Sequence, residues 1–161
     1  MKHFPLHRVT NECNLCSVFS WNDLSYFKKM KPEIKQKWIE ALRSGEYSQT
    51  QGKLHKPDGF CCLGVLTDLY LKETNQQWEF HEKTGDITSD DYYTFEETDD
   101  FLPKSVSDWA GLNTNCPEVM TENGDFDEES DGDEYLSTEL SELNDHGYNF
   151  GSIAELIQAQ L

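Results

Sequence analysis

From Cys61 to Tyr70 the chain reads Cys-Cys-Leu-Gly-Val-Leu-Thr-Asp-Leu-Tyr. A run this long and this apolar predicts a helix that no face of the protein leaves to water. Everything else must then be arranged around a central buried helix. Packing is expected against Trp38 and against the last helix through Leu156 and Ile157. Gly64 is expected where a neighbouring helix approaches most closely, since a missing side chain lets backbones meet.

The flanking segments supply partners for that helix. Pro32 suits a first helical turn, Ile34, Trp38, Ala41 and Leu42 share one face, and Gly45 stands where a left-handed cap is wanted. Gln51 to Phe60 holds Gly52 and the turn signal Pro57-Asp58-Gly59, which predicts a short hairpin. Trp78-Glu79-Phe80 and Tyr92-Tyr93-Thr94-Phe95 predict a second, irregular one. Pro103 opens a short helix carrying Val106, Trp109 and Ala110, with Gly111 closing it. Leu136, Leu140 and Leu143 fall on one face of a helix ending near Asn144. Ile153, Leu156, Ile157 and Leu161 form a last amphipathic helix, with Ser152 and Glu155 spaced as a capping box. The predicted architecture is mainly α within the α+β class: a compact helical domain over residues 30–161 with one or two small β-hairpins. Residues 1–29 show weak periodicity and read as an N-terminal extension.

Charge is distributed unevenly. The chain carries 13 basic and 31 acidic residues, a net charge of -18. Between Met30 and Asn75 the seven basic residues outnumber six acidic ones, whereas Asp90 to Leu136 holds sixteen acidic residues and one Lys. Residues 121–135 read as a solvated acidic loop. A chain of this charge repels phosphates and anionic lipid, so direct nucleic-acid binding and membrane association are disfavoured. Basic proteins, cations and small ligands are the expected partners. No run reaches the roughly eighteen apolar residues of a membrane span. Five cysteines, two of them adjacent in an apolar run, do not make a disulfide framework, and a reducing cytoplasm is expected.

Three segments together carry a resemblance. They are Lys37-Trp38-Ile39-Glu40-Ala41-Leu42-Arg43-Ser44-Gly45-Glu46-Tyr47, Asp58-Gly59-Phe60-Cys61-Cys62-Leu63-Gly64-Val65-Leu66, and Leu143-Asn144-Asp145-His146-Gly147 leading to Phe150 and Ile153-Ala154. The set resembles a family of small uncharacterised proteins of tailed phages, over roughly Met30 to Leu161. The resemblance implies a viral accessory origin and a location in the host cytoplasm. It implies no reaction; the expected role is a binding protein whose partner is a host protein or a small signalling ligand, with counter-defence as the setting by analogy, and no cofactor is expected. Proteins of that family begin near the position of Met30, so residues 1–29 are either a real extension or a misassigned start.

Several constellations carry chemistry, each with a plainer alternative. Cys61 and Cys62 at a helix N-terminus would feel the positive end of the helix dipole, which favours thiolate. With His146 and Asp145 they would make a thiol-dependent hydrolase; alternatively they pack as small hydrophobes. Asn144 and Asp145 are candidate ligand-binding residues, or they cap successive turns. The resembling proteins pair them with the Cys helix, which predicts contact in space. His3, His7, Cys13 and Cys16 offer metal-ligand types, but the spacer between the pairs is short for a zinc frame, and no metal is favoured. Asp127-x-Glu129-x-Asp131-Gly132-Asp133 imitates the start of a calcium loop, yet Thr138 stands where a bidentate Glu is required. The acidic stretch is also a candidate DNA mimic, although mimicry needs charges on rigid elements.

Overall fold

A computed structural model describes residues 30–82, 90–122 and 135–161. The helix α1 (Pro32–Arg43) opens on the predicted proline and buries Ile34, Trp38, Ile39 and Leu42. Gly45 follows with a φ of 74°, the left-handed geometry that ends the helix. Strands β1 (His55–Lys56) and β2 (Gly59–Phe60) form the predicted hairpin around Pro57-Asp58. The central helix α2 (Cys62–Thr74) follows at once, with Cys61 as its N-cap. Then come β3 (Glu79–His81), β4 (Tyr92–Thr94), α3 (Lys104–Ala110), β5 (Glu118–Glu122), β6 (Tyr135–Glu139), α4 (Leu140–Asp145) and α5 (Phe150–Gln160).

The expected mainly helical class with small separate hairpins is corrected by this arrangement. Five helices are joined by a four-stranded antiparallel sheet in the order β2-β1-β4-β3 and by a two-stranded sheet, β5-β6, among the described residues. The fold is mixed α+β. The two expected hairpins are one sheet because His55 of β1 pairs with Tyr93 of β4. Strands of two or three residues leave little local trace, and the pairing that joins them spans most of forty positions of chain.

Three further expectations change. Leu136 belongs to β6, opposite Thr121, and the last turn before Asn144 is a separate short helix beginning at Leu140. The acidic stretch is therefore shorter than 121–135: Thr121, Glu122 and Tyr135 are in strands, and 123–134, with the calcium-loop imitation, lie outside the described residues. The cap of α5 is Asn149, whose side chain accepts from the Ser152 amide at 3.0 Å, in place of a Ser152–Glu155 box.

Helix α2 is the most buried helix, with Cys62 through Asp68 and Leu71 inside. Its helical neighbours are α1, α3 and α4, whereas α5 lies chiefly along α1. Trp38 reaches across from α1 as expected, and its indole N–H donates to the Cys62 carbonyl at 2.9 Å. Gly64 does sit at a close approach, but to the backbone of Leu54 just before β1, not to a helix. A Cβ at Gly64 would overlap the Leu54 carbonyl. No helix among the described residues is long and apolar enough to cross a membrane.

Candidate functional site

The motif residues meet where the first turn of α2 faces the end of α4. An α-helix begins with amide N–H groups that lack intrahelical partners. In α2 one of them is met locally, since the Cys61 sulfur accepts from the Gly64 amide at 3.3 Å. Another is met from far away in sequence: the Cys62 amide donates to Asn144 Oδ1 at 3.2 Å. The expected contact between the Cys helix and the Asn-Asp pair is therefore present.

Asn144 is fully buried, and both ends of its amide are used twice. Oδ1 also accepts from Gln49 Nε2 at 2.9 Å. Nδ2 donates to the Thr50 carbonyl at 2.8 Å and to Asp145 Oδ1 at 3.2 Å. An amide side chain offers two donors and two acceptor sites, so this one has no capacity left for a ligand. Asp145 in turn accepts from the Gly52 amide at 2.9 Å. Gln49 continues the network, donating to the Tyr148 carbonyl at 2.7 Å and accepting from the Phe150 amide at 3.1 Å. The junction fastens segment 49–52, the start of α2, the end of α4 and the start of α5 to one another. Gln49 was not singled out from the sequence, where a lone Gln in a polar stretch carries no signal.

The thiols are inside this junction. Burial pushes the Cys61 thiol up to about 12, against the pull of the Gly64 and Leu63 amides. Burial likewise holds Cys62 well above the ordinary thiol range, with Cys61 and Cys116 nearby adding to it. The Cys62 S–H donates to the Leu140 carbonyl at 3.3 Å. Burial raises Cys116 too, although its sulfur pairs with the Ser141 hydroxyl at 3.0 Å. The helix dipole favours thiolate only where solvent or a cation can share the charge, and here desolvation wins. His146 is exposed and its Nδ1 pairs with the Glu142 carbonyl of its own helix at 2.8 Å. Asp145 shares a cavity of about 170 Å³ with Cys61, Gly52, Lys53, Asp100 and Ser141. That is well under the roughly 300–1,000 Å³ of sites that enclose drug-sized ligands.

The expected result with a small maleimide at pH 7.5 is that Cys61, Cys62 and Cys116 stay unmodified in the native protein and react after denaturation. Intact-mass spectrometry checks this; rapid native labelling of Cys61 or Cys62 would restore the nucleophile reading.

A second constellation lies on the four-stranded sheet and was not legible as one from the sequence. Phe60, His55, Tyr93 and Phe80 are successive cross-strand partners on β2, β1, β4 and β3. Their rings form a row with centroid separations of 3.9, 4.1 and 5.1 Å. The inner end is anchored. Tyr47 meets Phe60 edge-on at 5.2 Å, and Tyr47 and Trp78 both donate to the carboxylate of Asp68 on α2, at 2.8 and 3.1 Å. Burial raises the Asp68 carboxyl, but hydrogen bonds from Lys72, Tyr47 and Trp78 outweigh it and hold the group below its ordinary value. The outer end is open, with Phe80 51 % exposed.

His3, His7, Cys13 and Cys16 lie outside the described residues. Among the described residues no three His, Cys, Asp or Glu side chains are grouped to hold a metal ion. No curated protein and no solved structure matches the chain. One family model matches residues 30–161, the whole of α1 to α5, and the chain thus belongs to the family described as a domain of unknown function, DUF8296.

Proposed function

We propose that this protein acts by binding and not by catalysis, as a phage-type accessory protein that holds a host protein or a small signalling ligand in the setting of counter-defence. The observation that carries the reading is the junction of α2 and α4. Its thiols are buried and protonated, and its Asn144 amide is saturated by the protein itself. The thiols and the Asn144 amide, which would have to attack or hold a substrate, are instead holding the fold. A rigid scaffold of that kind presents surfaces, and its ring row and its acidic character are the features available to a partner.

Native mass spectrometry of the intact chain, recovered from cells that produce it, tests this. The expected spectrum contains a stoichiometric complex with a protein or small molecule. A chain that appears alone and releases p-nitrophenol from p-nitrophenyl acetate, with the activity lost in Cys61→Ala or Cys62→Ala, would overturn the binding reading in favour of the hydrolase.

A further inference from the structure

The open end of the ring row has a definite chemical character. β3 is an edge of the sheet, paired with β4 alone among the described residues. Phe80 projects from this edge, and its ring lies 5.1 Å from that of Tyr93 at an interplanar angle of 54°. One aromatic face is therefore offered at the margin of the sheet, that of Phe80, since Tyr93 is stacked on His55 at 4.1 Å on one side and covered by Phe80 on the other. The side chains around it are mostly acidic: residues 79–82 and 90–100 contain eight Asp or Glu and no Lys or Arg, with Lys83 next in sequence after Glu82. Glu79 and Glu82, on either side of Phe80 and His81, are exposed. Among the described residues the lysines that reach this sheet are already engaged, Lys53 with Asp99 and Asp100 at 2.7 and 3.0 Å, and Lys56 with Asp90 at 3.6 Å.

We propose that this margin, the outer face of Phe80 bordered by Glu79 and Glu82, is the docking surface for an arginine-rich segment of a partner protein. The inference rests on the binding reading and names its surface. Charge complementarity selects the occupant. An apolar partner would strip water from Glu79 and Glu82 without replacing it, and a phosphate-bearing one would meet only repulsion. A guanidinium satisfies both parts of the site. Its plane stacks on an aromatic face, and its fork of N–H donors matches a carboxylate bidentately. A lysine ammonium is a more strongly hydrated point charge and gains less from the ring. Because Tyr47, Trp78 and Asp68 fasten the inner end of the row to α2, the outer rings are held in place before a partner arrives.

Fluorescence anisotropy of labelled nonapeptides alternating Arg and Ser, Lys and Ser, or Glu and Ser tests the surface against the full chain. The Arg peptide is expected to bind, the Lys peptide more weakly, and the Glu peptide not at all. Phe80→Ala should weaken the Arg peptide about three- to fivefold, and Glu82→Gln should weaken it and flatten its salt dependence. A variant with the carboxylates of 125–134 changed to amides should keep the Phe80-dependent component. Circular dichroism establishes that each variant is folded, and Phe80→Tyr should restore binding. Equal affinity of the parent and Phe80→Ala, equal binding of Arg and Lys peptides, or complete loss of binding on neutralising 125–134 would each overturn the proposal. Should native mass spectrometry show a partner that Phe80→Ala retains undiminished, this surface is wrong while the binding reading stands. Should the chain behave as the hydrolase, the binding reading itself falls.

Discussion

Gly64→Ala is expected to destabilise the protein by about 3 kcal/mol or more, although alanine is the better helix former. The Cβ it adds would overlap the Leu54 carbonyl, and the Leu54 carbon and Cα stand immediately behind. Backbone cannot rotate out of the way as the end of a side chain can. The same carbonyl accepts the Cys61 amide at 3.1 Å, so moving it also breaks the hydrogen bond that leads the chain into α2. Helix propensity returns only about 1 kcal/mol, and the clash prevails. Gly64→Leu should be worse still. Urea unfolding followed by circular dichroism is the measurement. An alanine variant as stable as the parent would show that α2 does not lie against Leu54.

Asn144→Ala is the second large effect, expected at about 3–4 kcal/mol from the loss of hydrogen bonds to buried groups. The alanine leaves the Cys62 amide and the Thr50 carbonyl without the side-chain partner each now has, and takes one of three hydrogen bonds from the Gln49 side chain. At the helix start this removes a cap contributed by another element, and in segment 49–52 it removes the tie to α4. Asn144→Asp should not rescue the loss. It keeps an acceptor for the Cys62 amide but turns the Thr50 contact into oxygen against oxygen, and it sets a second carboxylate beside Asp145. Thermal melting gives the stability, and amide hydrogen exchange locates the effect. Exchange should quicken first at Cys62 and Gly52. A cost under about 1 kcal/mol for Asn144→Ala would mean that water replaces the amide without penalty and that the pair is open to a ligand after all.

Both effects arise at positions the sequence marks, for reasons it does not disclose. Gly64 in an apolar run announces a close approach, because only a missing side chain explains a glycine there. The identity of the approaching backbone is set by how segment 48–60 folds over the start of α2. Asn144-Asp145 after a leucine-rich turn predicts a polar role at a helix end. Whether the role is internal or directed at a ligand depends on Gln49, Thr50 and Gly52, more than ninety positions earlier in the chain. The thiols show the same division. A cysteine pair at a helix N-terminus is drawn toward thiolate by the dipole and toward thiol by burial, and only the surrounding packing fixes which is stronger.

The sequence by itself determined α1, α2, α3 and α5, including the proline that starts α1 and the glycines that follow α1 and α3. Each of these helices buries a stripe or a whole surface, and that pattern repeats within a few residues of itself. It also determined that Trp38 meets α2, while the meeting of the Cys helix with the Asn-Asp pair was expected from the resemblance. Tertiary structure alone decided the four-stranded sheet, the strand character of Leu136, the placement of α5 along α1 and the ring row from Phe60 to Phe80. Strands of two to five residues, half polar, have too few side chains to specify a partner locally. Their hydrogen bonds and ring contacts exist only once the buried helices have brought distant segments side by side.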